Sequence, residues 1–233
     1  MIAPLSAEEL GIIGLSLKVS LVAVAATLPV AYALAWLLAR KRFPGRVLLD
    51  AFVHLPLVVP PVVTGYILLI LFGRTGPIGS WLEAQFGLSL AFRWTGAALA
   101  AAVMALPLMV RAMRLSIEMV DQHLIDAART LGATRWHAFR TITLPLSLPG
   151  ILAGTVLGFA RSIGEFGATI TFVSSIPGET RTLPLAIYSA LQIPGTDVVV
   201  ARLVVLSIIL SLFALLVSEW LIRRSGGKGA HVL

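Results

Sequence analysis

The chain has 233 residues, of which 58% are hydrophobic and 12% are charged, and its mean hydropathy is +0.95. Soluble globular domains carry roughly a quarter of charged residues. The composition therefore indicates an integral membrane protein. Since a membrane-spanning helix needs about 20 residues, the length allows a single membrane domain over residues 1–233 and leaves no room for a second, soluble domain. The sequence contains no Cys, which excludes disulfides, cysteine metal sites and thiol nucleophiles.

Five long apolar segments predict five membrane helices, and hence an all-α bundle, because lipid gives the backbone no hydrogen-bond partner. The segments are residues 10–39, 47–72, 94–110, 148–173 and 198–222. The first is too long for the core of a signal peptide, and Glu8 and Glu9 stand before it where a signal peptide has basic residues. We therefore expect this helix to be retained.

The distribution of basic residues predicts the orientation. The Lys and Arg residues that make the formal net charge +7 are concentrated at 40–46, 111–140 and 223–228. The alternation of spans brings these clusters to one side, which is the cytoplasm by the positive-inside rule. We therefore expect the N-terminus outside, the C-terminus in the cytoplasm and no nucleic-acid partner. Residues 183–193 are predicted to form a short helix at the outer surface.

A polar segment interrupts the apolar sequence between the third and fourth spans. From Ile117 onward, apolar residues recur at helical spacing. Gly132 predicts the end of this helix, Thr134 the start of a second one, and Pro145 the end of that second helix. The pattern predicts a helix-turn-helix in the cytoplasm. The alternative is an amphipathic loop that only lies on the membrane interface.

The spacing of residues in this segment resembles the EAA loop of ABC-importer permeases, written EAA-x3-G-x9-I-x-LP. Asp replaces Glu at the first position and keeps the charge. The matching residues are Asp126, Ala127, Ala128, Gly132, Ile142, Leu144 and Pro145. The resemblance implies a type I importer permease whose loop, at about 115–147, is a coupling element seated in a groove of a separate ATPase subunit.

Further stretches extend the resemblance over nearly the whole chain. The segments at 54–69, 106–114, 143–151, 159–182 and 201–208 are similar to permeases of molybdate ABC importers. Sulfate and thiosulfate permeases share the loop and a G-E-F/Y-G segment, but IPGETRT at 176–182 favours the molybdate branch. The resemblance implies an inner-membrane homodimer that imports molybdate or tungstate. Its implied partners are two ATPase subunits and an extracytoplasmic oxyanion-binding protein.

The sequence lacks the GxxxxGK[ST] motif that cradles nucleotide phosphates. We therefore expect this chain to bind no cofactor, and we expect the partner to use the ATP. The four His residues are scattered, and neither HExxH nor GxSxG occurs, so no catalytic set or metal site is predicted. A membrane-embedded enzyme is the alternative from another class. A secondary transporter is the closer rival, and it would need repeated halves and acidic residues in mid-span.

The fourth predicted span carries two patterns. Small residues recur every four positions at Gly150, Gly154, Gly158 and Ser162, which predicts close packing against a neighbouring helix. Arg161 and Glu165, also four residues apart, are predicted to face the bundle interior as an ion pair, because a lone charge in the bilayer is costly. The alternative role for Arg161 is to border the pathway of an oxyanion, which Glu165 would keep from being held too tightly.

Three prolines interrupt the second predicted span. Pro56, Pro60 and Pro61 each lack a backbone N–H. The sequence therefore predicts a kinked or locally opened helix. Such a break can line a transport pathway, with Pro60 and Pro61 as the candidates, or it can be a tolerated kink of an ordinary span.

Overall fold

The computed structural model describes residues 6–226, with the side chains of residue 215 and of residues 217–226 left out. Within the described range every regular element is helical, which confirms the all-α prediction. A π-helical turn, Phe139–Thr143, lies between α7 and α8. The helices in chain order are α1 Ala7–Arg40, α2 Arg46–Val58, α3 Pro61–Phe72, α4 Pro77–Phe86, α5 Trp94–Glu118, α6 Gln122–Thr130, α7 Arg135–Ala138, α8 Leu144–Leu146, α9 Leu148–Ile163, α10 Gly167–Val173, α11 Leu183–Leu191 and α12 Asp197–Gly226.

The number of spans agrees with the prediction of about five. Helices α1 and α5 and the Asp197–Ala214 part of α12 are each long and apolar enough to cross a membrane. Two bent pairs, α2 with α3 and the Arg135–Leu146 segment with α9, raise the number to five if each pair counts as one span. The last part of the basic cluster predicted at 223–228, including Lys228, lies outside the described residues.

Helix α5 is the centre of the bundle and packs against α1 on one side and α9 on the other. Its buried face consists largely of alanines and flexible methionines, such as Ala97, Ala105 and Met109, all without exposed surface. Small side chains let the neighbouring backbones approach closely, which favours helix association in lipid. This span was predicted to end at residue 110. It continues to Glu118, because the amphipathic turns after Val110 still bury Met113 and Ile117.

The second predicted span is broken, as its prolines indicated. Helices α2 and α3 are bent by 113° relative to each other. The break lies at Val59 and Pro60, both in extended conformations, and Pro61 begins α3, where a missing N–H costs nothing.

The fourth predicted span, 148–173, is not one helix. It ends at Ile163, and α10 starts only at Gly167. Gly164 leaves the helical conformation, and Phe166 adopts φ −129° and ψ −56°. The intervening Glu165 accepts a hydrogen bond from the backbone N–H of Ala168 at 2.8 Å. This side-chain contact satisfies an N–H at the start of α10 and stabilises a break that hydropathy does not reveal.

The predicted helix-turn-helix is present, with different limits from those predicted. Ile117 belongs to α5, and the first helix of the hairpin begins at Gln122, where the Asp121 side chain accepts from the His123 N–H. Thr134 caps the second helix through the His137 N–H. This second helix does not end at Pro145. The turn before the proline widens to a π-helix, which accommodates its missing N–H, and helical structure continues to Leu146.

The two loops that we expect to be external are more structured than predicted. The loop at 73–93 contains α4, which the sequence analysis missed because a ten-residue helix in a connecting loop has no long apolar pattern. The helix predicted at 183–193 exists as α11, with Tyr188 and Leu191 exposed; its expected position at the outer surface stays a prediction. It buries Leu183, Leu185 and Ala186 in the bundle, because its apolar side packs against α1 and α12.

Contacts at the two ends of α1 show which loops lie at the same end of the bundle. Near the start of α1, Glu8 pairs with Arg181 at 3.5 Å and Glu9 with Arg202 at 3.0 Å. At the other end, Arg40 bonds to Gln122 of α6. The α6 hairpin and the loop around α11 therefore lie at opposite ends of the bundle.

This arrangement predicts opposite accessibility for two single cysteines in the Cys-free chain. A membrane-impermeant maleimide should label Gln192→Cys in intact cells, because we expect the α11 end to be external. It should label Arg129→Cys in α6 only after the cells are permeabilised. Both side chains are exposed in the chain itself, and expression of the permease without its ATPase keeps α6 uncovered. Labelling of Arg129→Cys in intact cells would contradict the predicted orientation.

Candidate functional site

The two helix breaks lie against each other. A Cβ added at Gly167, the first residue of α10, would stand 2.7 Å from the Pro61 Cβ at the start of α3. One turn further along α3, a Cβ on Gly65 would stand 2.9 Å from the Ala168 Cα. No larger side chain fits at either contact. Helices α3 and α10 therefore pack backbone to backbone, and the break in each span is next to the break in the other.

Arg161 and Glu165 lie at this junction. The Arg161 Nη1 and the Glu165 Oε2 form an ion pair at 2.5 Å. The other carboxylate oxygen of Glu165 accepts from the Ala168 N–H at 2.8 Å. The Glu165 side chain is 2% exposed, whereas that of Arg161 is 25% exposed. The carboxylate is thus fixed inside the protein, while the guanidinium reaches an accessible surface beside the breaks.

The stripe of small residues on α9 faces α5. Gly150, Gly154, Gly158 and Ser162 are all buried. A Cβ on Gly150 would lie 3.0 Å from the Ala112 carbonyl oxygen, and one on Gly154 3.1 Å from the Met109 carbonyl oxygen. The stripe holds α9 against α5 over its whole length. This packing fixes the position of Arg161, near the end of α9, along the axis of α5.

The hairpin of α6 and α7 carries the EAA-like residues on an accessible surface. Helix α6 has no buried residue. Asp126 and Ala127 are exposed and Ala128 is half-buried. The neighbouring Leu131 is 89% exposed.

Gly132 makes the turn of the hairpin at φ +91°, a conformation that β-branched residues rarely adopt. Its N–H donates to the Arg129 carbonyl at 3.1 Å, and the Ala133 N–H donates to the Ala128 carbonyl at 3.0 Å. These two bonds form a Schellman motif, which closes the end of α6.

The other motif residues lie on the path from the hairpin to the membrane helix α9. Ile142 is half-buried in the π-helical turn, and Leu144 and Pro145 follow in α8, half-buried and exposed respectively. The chain then bends by 60° at Ser147, between α8 and α9.

The sequence does not reveal the polar contacts that hold this bend. The Ser147 Oγ is 2.9 Å from the Tyr32 hydroxyl of α1, and the Ser147 carbonyl accepts from the Ser116 hydroxyl of α5 at 3.4 Å. Ser147 has no exposed surface. Hydroxyl residues scattered over distant parts of a sequence give no pattern, so only the fold reveals that they meet.

Arg40 is a second residue that the sequence showed only as part of a basic cluster. Its Nη2 donates to the Ile117 and Val120 carbonyls, each at 2.8 Å, and its Nη1 donates to the Gln122 side chain at 2.6 Å. A positive charge at the end of α5 is favourable because the last carbonyls of a helix are unsatisfied and carry partial negative charge. Arg40 thereby joins α1 to the base of the hairpin.

A mixed-charge cluster attaches α2 to the same end of α5. Arg114 bonds to Asp50 of α2 at 3.1 Å and to Glu118 at 2.8 Å. His54 lies 3.2 Å from the Asp50 carboxylate. Arg114 thus pairs with one carboxylate on α2 and one on its own helix. The contact between Asp50 and Arg114 orients α2, the helix that precedes the break at Pro60.

A family model described as "Binding-protein-dependent transport system inner membrane component" matches residues 29–226. Among curated relatives, the molybdenum transport system permease protein ModB of Escherichia coli K12 is 62% identical over 91% of this chain and 92% of its own length. ModB of Haemophilus influenzae is 59% identical over 94% of this chain and 96% of its own. The sulfate transport system permease protein CysT of E. coli K12 is 42% identical over 68% of this chain and 57% of its own.

Solved structures show the fold. A bacterial ABC transporter that imports alginate matches 94% of this chain with a TM-score of 0.74 and 18% identity, covering 80% of the matched chain. A crystal structure of an alginate transporter in complex with a pentasaccharide-bound periplasmic protein matches with a TM-score of 0.73 and 20% identity, over 94% of this chain and 80% of the matched chain. The inward-facing MetNI methionine transporter matches with a TM-score of 0.71 and 18% identity, over 95% and 99% of the two chains.

The bundle with two broken spans, its accessible hairpin and the extent of these matches lead to one conclusion: the chain belongs to the family of binding-protein-dependent transport system inner membrane components.

Proposed function

We propose that this chain is the membrane-spanning permease subunit of an ATP-driven importer that carries molybdate, or tungstate, into the cytoplasm. The observation that carries the proposal is the 62% identity to the E. coli molybdenum permease over 91% of the chain. The match to the sulfate permease is weaker and spans only 57% of that protein. The higher identity and the longer match therefore favour the molybdate branch over the sulfate branch.

In this proposal the permease is one of several subunits of the transporter. The sequence has no phosphate-binding loop, so ATP is hydrolysed on a separate subunit and this chain has no enzymatic activity of its own. Two permease copies in the inner membrane form a homodimer with two ATPase subunits, and an external oxyanion-binding protein delivers the substrate. An alginate importer of the same fold, solved in complex with its binding protein, supports such a delivery partner.

The hairpin of α6 and α7 is the proposed coupling element, at the centre of the 115–147 region. Its small residues Ala127 and Ala128 let the ATPase approach closely, and Leu131 gives an apolar contact. The Schellman turn at Gly132 fixes the angle between the two hairpin helices. The hairpin surface is therefore both rigid and accessible. An element that transmits motion from the ATPase to the membrane helices needs both properties.

The junction of the two breaks is the proposed pathway region. Pro60 and Pro61 open α2–α3 beside the Gly164–Phe166 break, so irregular backbone meets in one place. In membrane proteins such backbone occurs where it is buried in protein or lines a cavity. Arg161 supplies a positive charge to a doubly negative oxyanion there, while its pairing with Glu165 limits how tightly the anion is held.

Uptake measurements test the substrate. Cells that carry this permease, its ATPase and its binding protein should accumulate labelled molybdate, and unlabelled tungstate should compete efficiently. Sulfate in large excess should compete weakly. The control is a Walker-motif variant of the partner ATPase, which should abolish uptake. Sulfate uptake that exceeds molybdate uptake would reject the molybdate assignment while keeping the permease assignment.

Substitution at the hairpin turn tests the coupling role. Gly132→Val should weaken co-purification of the ATPase and reduce uptake roughly tenfold or more. Valine fits poorly at φ +91°, and the resulting strain of about 1–3 kcal/mol would favour a displaced hairpin. Gly45→Val is a matched control, since Gly45 has φ +87° and open space around it but lies outside the hairpin. Equal amounts of inserted permease must be compared. Normal ATPase binding and uptake in Gly132→Val would contradict the coupling role.

The ion pair at the breaks predicts an order of activities. Arg161→Gln should reduce molybdate uptake most, because it leaves a lone buried carboxylate, a change that costs about 3–5 kcal/mol in other proteins. In the double variant Arg161→Gln and Glu165→Gln, the amide oxygen can still accept from Ala168 and uptake should recover in part. Arg74→Gln, an exposed arginine, is the charge control. Equal loss in single and double variants would contradict the pairing, and full recovery in the double variant would remove Arg161 from the pathway.

A further inference from the structure

An apolar groove separates α1 from the second helix of the hairpin. It has a volume of about 740 Å³, and Pro29, Tyr32 and Trp36 of α1 line it together with Arg135, Trp136 and Phe139. The α1 residues recur at helical spacing, so they form one continuous face that leads toward Arg40. The groove is thus an elongated surface feature beside the last turns of a membrane helix.

Aromatic rings form the end of this groove nearest to the hairpin. The Phe139 ring packs against Trp136 at 5.3 Å, Tyr32 at 6.1 Å and Trp36 at 6.4 Å between centroids. Trp136 remains 65% exposed. Tryptophan and tyrosine concentrate where lipid headgroups begin. The aromatic cluster therefore marks the level of the membrane surface on this side of the protein.

Positive charge surrounds the aromatic cluster. The Lys41 ammonium lies 5.5 Å from the Trp36 ring and the Arg140 guanidinium 6.0 Å from the Trp136 ring, and Arg135 lines the groove itself. None of the lining residues has a carboxylate. An apolar channel with cations at its polar end matches a molecule that has a long apolar chain and an anionic head.

We propose that this groove binds an anionic glycerophospholipid of the cytoplasmic leaflet. One acyl chain lies along Tyr32 and Trp36, and the phosphate faces Lys41, Arg135 and Arg140. The inference rests on the proposed function, in which the hairpin of α6 and α7 meets the ATPase at the cytoplasmic surface. Because Trp136 and Phe139 belong to the hairpin, the bound lipid holds the second hairpin helix against α1 at the membrane surface.

Quenching of tryptophan fluorescence by brominated lipids tests this binding. The full-length permease with Trp81, Trp94 and Trp220 replaced by Phe retains only the two groove tryptophans, Trp36 and Trp136, and it is assembled with an ATPase whose own tryptophans are replaced by Phe. It is placed in phosphatidylcholine nanodiscs with a minor fraction of phosphatidylglycerol, and the bromines are carried by one lipid or the other. Brominated phosphatidylglycerol should quench out of proportion to its share of the lipid.

The charge variants decide whether the groove cations cause this preference. Each Lys or Arg near an anionic lipid changes affinity by about fivefold, so Lys41→Gln with Arg140→Gln should lower the preference for phosphatidylglycerol by about twenty-five-fold. Arg111→Gln with Arg129→Gln removes the same charge from the same end of the protein but outside the groove, and it should leave the preference unchanged.

Three results would overturn the lipid site. They are equal quenching by the two lipids, an equal effect of both double variants, and a lack of quenching by either lipid, which would mean that a second copy or the ATPase covers the groove. The measurement needs no transport. If the permease with an intact groove prefers phosphatidylglycerol but transports no molybdate, only the proposed function is contradicted. If it transports molybdate but shows no preference for phosphatidylglycerol, only the lipid site is contradicted.

Discussion

A helix that breaks inside a membrane must find partners for the backbone groups that a continuous helix would satisfy. This constraint determines which residues stand at the two helix breaks and how the breaks pack. At the first break, Pro60 and Pro61 have no N–H groups to satisfy. At the second, the Glu165 carboxylate accepts from Ala168 and is itself neutralised by Arg161. The missing side chains at Gly65 and Gly167 then let the two breaks pack together. The charge of Glu165 therefore has a structural role at the break, whether or not it also borders a pathway.

The remaining helices provide a frame against which these breaks are positioned. Helix α5 binds α1 and α9 through small side chains, and Arg40 closes the frame at one end by bonding to the last carbonyls of α5 and to α6. At the other end, Glu9 of α1 pairs with Arg202 of α12. Since these contacts fix both ends of α1, the helix cannot shift along its axis without losing charged hydrogen bonds. The frame is consequently stiff where the two broken spans are irregular.

The sequence predicted features whose cause is local and missed those whose cause is tertiary. The turn at Gly132 and the cap at Thr134 follow from the residue types themselves, and the break at Pro60 follows from two missing donors. The break after Ile163 could not be predicted, because Gly164 and Phe166 keep the hydropathy of the span and only the fold brings Glu165 to the Ala168 N–H. The limits of the hairpin were missed for a related reason. Ile117 continues the periodic pattern but is buried against the bundle, so tertiary packing assigns it to α5.

Helix α9 links the two functional regions in the proposed importer. It starts at the bend at Ser147 and ends beside the break at Gly164, so its 16 residues make a rod of about 24 Å. Hydrogen bonds with Tyr32 and Ser116 hold Ser147 at its start, and the stripe of small residues packs it along α5. A displacement of the hairpin that rotates α8 about Ser147 would therefore reach Arg161 as a rigid movement of α9. Because Arg161 is on the rod while Glu165 is on the break beyond it, such a movement changes the distance between the two charges. The ion pair is thus placed where motion of the hairpin can change the separation of two opposite charges at the proposed pathway.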